Sequence, residues 1–129
     1  AYDRACFPAM RDVFLQKWTA LPDSHGLAFV ERGTLRGYGL IRRCRAGCKI
    51  GPLFADDAQT ARLLWVNLAA WAAPGEPVYL DVPEVNEPAL ALAAEFGMTE
   101  VFGTARMYRG RAPAFDVGRV FGVTSFELG

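Results

Sequence analysis

Histidine, cysteine and net charge are all scarce in this 129-residue chain. The cysteines are Cys6, Cys44 and Cys48, too few and odd in number for a disulfide scaffold. A zinc site on Cys44-x3-Cys48 would need two further ligands, and the single histidine, His25, falls in a stretch dense in turn formers. Reduced thiols in a cytoplasmic protein are the expectation, with no metal. Acids and bases balance at 14 each, so bulk charge favours neither nucleic acid nor an anionic membrane. The longest apolar run, Leu63 to Ala73, is interrupted by Asn67 and falls short of a membrane span. No basic region followed by an apolar run opens the chain, so no signal peptide is expected. No initiator methionine precedes Ala1, which suggests a piece of something longer.

What is present describes one globular domain. Apolar residues make up 52% and charged residues 22%, and the length suits a single core. Met10, Val13, Phe14 and Trp18 recur at helical spacing over residues 8–20. Leu27 to Glu31 and Leu35 to Arg42 read as a hairpin around Arg32-Gly33-Thr34, and Cys48 to Ala55 as a third strand. Asp56 or Asp57 can cap a helix running to about Ala73, with Ala61, Leu64, Trp65, Leu68 and Trp71 inward. Further strands are expected at Glu100 to Tyr108 and Val120 to Glu127.

Residues 78–98 are the most informative stretch. Val78 to Val82 reads as a buried strand, Pro83 as a break, and Asn86 as the N-cap of a helix. Pro88 is tolerated in a first turn and Gly97 suits a left-handed helix end. Ala89, Leu92, Ala93 and Phe96 share one face. A strand, crossover helix and strand in this order make a right-handed parallel pair inside an otherwise antiparallel sheet.

The spacing Asn86-x2-Ala89-x2-Leu92-x4-Gly97-Met98 resembles the strand-then-helix segment near the end of GNAT acyltransferases. The strings Lys49 to Asp56, Leu80 to Asn86, Ala105 to Gly110 and Phe121 to Gly129 resemble the C-terminal half of a bacterial tandem GNAT protein of the YitH type. The resemblance implies an α/β fold with a mixed, mostly antiparallel sheet of about six strands flanked by helices. It also implies acetyl-CoA as cofactor, an amine acceptor of unknown identity, and an N-terminal GNAT module of the same protein as partner. In that fold the sheet splays where the two parallel strands part and admits the pantetheine arm. This places the arm beside Leu53, Phe54 and Ala55 and near Asn86, and puts carboxylates at Asp81 and Glu84 as candidate bases or contacts for the acceptor amine. Asn86 can equally hydrogen-bond a pantetheine amide or simply cap its helix.

Two departures from the family pattern stand out. The glycine-rich pyrophosphate loop is absent, and the chain reads Asp56-Asp-Ala-Gln-Thr-Ala-Arg62 where unpaired helix N–H groups would meet an anion. Carboxylates there oppose a phosphate and read more naturally as helix caps than as bases. The second departure is Ala93, which stands where many relatives carry the tyrosine that protonates the leaving thiolate. Tyr79 and Tyr108 are substitutes that read better as structural residues. Arg42, Arg43, Arg45 and Lys49 form a basic cluster at a turn, and Arg106 and Glu127 are candidates for an ion pair between closing strands. Two functions follow: an acyltransferase, with this chain as the degenerate domain completing its acceptor site, or a non-catalytic GNAT-like binding or structural module.

Overall fold

The computed structural model describes residues 1–128. Two short helices open the chain, α1 (Asp3–Cys6) and α2 (Asp12–Thr19), followed by three antiparallel strands, β1 (Ser24–Glu31), β2 (Thr34–Arg43) and β3 (Cys48–Ala55). Helix α3 (Ala58–Ala69) crosses to β4 (Val78–Leu80), which lies parallel to β3 in the register Cys48↔Val78, Lys49↔Tyr79, Ile50↔Leu80. Then come α4 (Glu87–Glu95), a 3-10 turn (Val117–Arg119) and β5 (Val120–Gly122). The sheet is mixed and mostly antiparallel, with the parallel pair where strand–helix–strand order puts it.

Local chemistry explains the boundaries. Arg32 and Gly33 both adopt positive φ at the β1–β2 turn. The Asp57 side chain accepts from Thr60 N–H at the start of α3, and Asn86 accepts from Ala89 N–H at the start of α4. Gly97, at φ 64°, closes α4 in the left-handed conformation. Ala61, Leu64, Trp65 and Leu68 bury one face of α3 against Ile41, Ile50, Leu53 and Ala55, and Ala89 and Leu92 of α4 join the same core with Phe121. On the opposite sheet face Phe54 packs with Cys6 and Val120, under Tyr2 and Tyr38.

The structure corrects several expected elements. The helix expected over residues 8–20 is α2, shortened to Asp12–Thr19, and the separate turn α1 precedes it, with Arg11 folded back onto Asp3 between them. Helix α3 ends at Ala69, with Trp71 partly buried beyond it, and β4 stops at Leu80. His25 lies exposed on β1 rather than in a turn. Residues 99–116 form no regular strand, so the sheet has five strands rather than six. On an extended chain, alternation would put Val101 and Met107 on one side and Phe102 and Tyr108 on the other, so this segment has no single apolar face to lay on a core.

The last strand is three residues rather than eight for a steric reason. β2 pairs with β3 along one edge, from Cys48 to Ala55. On the other edge β4 takes Cys48 to Ile50, and β5 takes Leu53 and Phe54, opposite Gly122 and Val120. Running antiparallel to β3, β5 meets the end of β4 after Gly122 and has no edge left to follow. The chain turns there, and Val123 N–H donates to the Asp81 carbonyl at 2.9 Å.

This junction demands glycine. A Cβ on Gly51 would stand 2.5 Å from the Thr124 carbonyl oxygen and 2.8 Å from that of Val123, both backbone atoms with little freedom to move. Gly51→Ala is therefore expected to destabilise the fold by about 2–3 kcal/mol, the range for overpacking a tight contact. Urea unfolding of the variant beside the parent checks this.

Candidate functional site

The second half of β3 is where the resemblance puts the cofactor arm. Leu53, Phe54 and Ala55 are all fully buried there. Their backbone faces β2 on one side, and on the other Leu53 and Phe54 face β5. An arm that reads a strand edge through its amide groups needs that edge open. Here it is closed by the chain's own Val120–Gly122.

Asn86 belongs to the same closure. Its side chain is 3% exposed. The Nδ2 group donates to the carbonyls of Val117, Gly118 and Val120 at 3.1, 3.2 and 2.8 Å, while Oδ1 caps the Ala89 N–H at 3.3 Å. One side chain thus fastens the start of α4 to the segment leading into β5. Its hydrogen-bonding capacity is taken up within the chain.

At the start of α3 the two adjacent aspartates have separate roles. Asp57 caps the helix. Asp56 instead gathers Tyr2 Oη at 2.8 Å, Arg36 Nη1 at 3.2 Å and the Arg119 guanidinium, which stacks 4.4 Å over the Tyr2 ring. Burial alone would raise the Asp56 carboxyl, but the bonds from Tyr2, Arg119 and Arg36 outweigh it and hold the group below its ordinary value. Burial and the bond to Asp56 push the Tyr2 hydroxyl well up, so it does not serve as a base near neutral pH. A shallow cleft of about 260 Å³ beside this helix end is lined by Glu31, Arg36, Asp57 and Thr60, with Phe29 and Leu63 behind. It is below the usual size of a small-molecule pocket and carries two carboxylates against one guanidinium. Two carboxylates at this helix end oppose a pyrophosphate.

Asp81 and Glu84 part company. Asp81 is 7% exposed and pairs with Lys49, whose Nζ lies 2.5 Å from Oδ2. That contact is not aligned as a hydrogen bond, and Oδ2 has no hydrogen-bond donor among the described residues. Lys49 also lies over the Phe126 ring at 5.2 Å. Glu84 is exposed in the turn before Asn86 and enters no ion pair among the described residues. The two carboxylates are thus set in different environments, one neutralised and one free.

The remaining candidates disperse. In the basic cluster Arg43 pairs with Glu76 at 2.9 Å and Arg42 stacks 5.2 Å from Trp18, so these cations do not converge on an anion. Arg106 lies over Phe115, not beside Glu127, because neither residue is on a strand. Tyr108 sits in the exposed 99–116 segment and Tyr79 is half-buried on β4. The three cysteines are free; burial raises the Cys6 thiol to about 12 and also raises Cys48. Among the described residues no group of three or more His, Cys, Asp or Glu side chains gathers for a metal, and no helix is long and apolar enough to cross a membrane.

Sequence reasoning missed Tyr2, Arg36 and Arg119 as partners of Asp56, and Lys49 as partner of Asp81. The Lys49–Asp81 pair had a usable signal, since parallel register opposes Lys49 to Tyr79 and Asp81 lies two residues on, on the same face. The Asp56 cluster joins residues 2, 36, 56 and 119 and leaves no local trace.

Two expectations follow. Asn86→Ala removes the cap and strips the buried Val120 carbonyl of a donor, so it should cost about 2–3 kcal/mol rather than the ~1 kcal/mol of a cap alone; thermal unfolding measures it. Asp56→Ala should cost about 1 kcal/mol at neutral pH by orphaning two guanidinium groups that water partly reaches. The native Asp56 carboxyl is depressed, so its contribution is full above the unfolded value near 3.9 and fades as pH falls through the lower native value. Parent and variant stability curves should converge below about pH 4.

Comparison with known proteins agrees with the topology. Residues 1–122 match the family model described as acetyltransferase (GNAT) domain. The holothin acyltransferase of Pseudoalteromonas sp. (strain SANK 73390) is 28% identical over 119 residues, covering 92% of this chain and 40% of the relative. The chain therefore spans about 40% of that relative's length. No solved structure gives a significant match. With the mixed sheet, its parallel pair and a family model matching nearly the whole length, the chain belongs to the GNAT acetyltransferase domain family.

Proposed function

We propose that this chain is the degenerate, C-terminal domain of a longer, cytoplasmic GNAT N-acyltransferase, completing the acceptor site while an N-terminal GNAT module holds acetyl-CoA. The family supports acyl transfer in general. The division of labour rests on one observation, the pairing of β5 with Leu53 and Phe54 along the edge a pantetheine arm would read. The Asp57 cap and the Asp56 cluster at the start of α3 point the same way.

Within this reading Glu84 is the carboxylate available to an acceptor amine, being exposed and free of internal partners. Asp81 has a different part, holding Lys49 against the sheet beneath it. Holothin, the compound that names the relative, is the first acceptor to try with the longer protein. The second reading, a non-catalytic binding or structural module, draws on the internal partners that occupy Asn86 and Asp81.

Calorimetry on the isolated chain is expected to give acetyl-CoA a Kd at or above about 1 mM, or only about −4 kcal/mol. Micromolar binding would overturn the division of labour. In the longer protein Glu84→Gln should lower kcat/KM for the amine and leave acetyl-CoA affinity unchanged. Unaltered turnover in that variant favours the structural-module reading.

A further inference from the structure

Residues 99–114 run exposed between α4 and the 3-10 turn, before Phe115 packs against the Cys6, Phe54 and Val120 cluster and Asp116 N–H donates to the Ala5 carbonyl. Val101 is 73% exposed, Phe102 68% and Met107 85%, an unusual concentration of large apolar side chains in one arm. Phe102 alone among these three is anchored, its ring 5.9 Å from that of Phe126. Phe126 in turn lies beside Lys49, the partner of Asp81 at the end of β4. The arm therefore starts next to β4 and projects from it.

β4 is an edge strand. It pairs only with β3, and its three residues are half-buried. An open edge offers unpaired N–H and C=O groups to another strand. The arm has the composition of a strand with apolar residues on both faces, which is stable only when both are covered. Apart from the Phe102 contact, its own domain covers neither face.

Charge indicates the occupant. Arg106, Arg109 and Arg111 ride on the arm without a carboxylate partner among the described residues. Glu84 and Glu87, in the turn and helix that follow β4, are exposed and equally unpaired. The other open edge, β1, is less suited, since Glu31 there is already engaged by Arg36. One chain carries both a cationic apolar strand and an acidic open edge, and two copies can satisfy both reciprocally.

We propose that residues 100–109 add as a strand to the β4 edge of a second copy of this chain, in a reciprocal exchange hinged after Gly97. The arginines of each arm meet Glu87 of the other copy, which leaves Glu84 to the acceptor, and the apolar side chains gain cover on the faces that one copy leaves bare.

Sedimentation velocity and light scattering on the 129-residue chain across a concentration series test this. The expected species has twice the 14.1 kDa chain mass. Thr104→Pro, which removes a ladder donor in a segment that touches no core, should raise the dimer Kd by at least about tenfold while leaving the monomer's circular dichroism unchanged. Arg109→Glu with Arg111→Glu should weaken self-association similarly, and mixing that variant with Glu87→Lys should restore a heterodimer. A chain monomeric at every concentration overturns the proposal. So does a dimer indifferent to Thr104→Pro, a failed charge-swap rescue, or a monomer whose arm amides are protected from hydrogen exchange by its own β4.

Discussion

One strand edge organises this domain. β3 is paired along its whole length on one side by β2, and on the other it is divided, Cys48 to Ile50 going to β4 and Leu53 and Phe54 to β5. Every later feature answers to that division. β5 is short because β4 holds the remainder of the edge. Gly51 is small because the chain leaving β5 passes over it. Asn86 reaches across from α4 to the carbonyls of residues 117, 118 and 120, adding its donors at the point where the chain enters β5. A buried backbone acceptor left unmatched costs about 1–3 kcal/mol, so the bond to the buried Val120 carbonyl contributes most to holding the closure.

Two polar clusters fasten the same closure from the other sheet face. Asp3 receives two bonds from Arg11 and one from Tyr38, and Arg11 continues to Thr124 at 3.0 Å. Asp56 joins Tyr2 and Arg36 to Arg119. Each cluster connects the first residues of the chain with the last through the centre of the sheet. Buried ion pairs of this kind contribute little net stability against apolar replacements, yet removing one partner is costly. Their effect is selective: they favour the arrangement with α1 and β5 both seated and penalise any in which one is displaced.

The parts of the fold readable from sequence are those set by neighbours. The Asn86 and Asp57 caps, the Gly97 helix end, the β1–β2 turn and the inward face of α3 depend on residues three or four apart. The parallel pairing of β3 with β4 follows from a crossover rule that needs only element order. What was hidden depends on distant contacts. Gly122 meets Leu53 across 69 residues, and no periodicity in either segment announces it. Asp56 reads as a cap because cap preferences are local, whereas its partners at residues 2, 36 and 119 are not. Residues 100–108 were misread for the opposite reason, since strand propensity is local and an apolar face is not.

Family membership and the proposed loss of a cofactor site are separable on physical grounds. The core that identifies the family is built from α3, α4 and the sheet face beneath them, and it is intact. The groups that would receive an acyl-CoA lie on a strand edge and at a helix start, where hydrogen-bonding capacity is finite and is spent once. β5 takes the first and the Asp57 carboxylate serves the second. Neither change disturbs the apolar packing, so a chain can exchange ligand contacts for internal ones and keep its fold. Freeing the Leu53–Phe54 edge would require β5 to leave its place, and with it the Asn86 bonds and the Arg119–Asp56 contact, so this pairing is a cooperative property of the domain rather than of one residue.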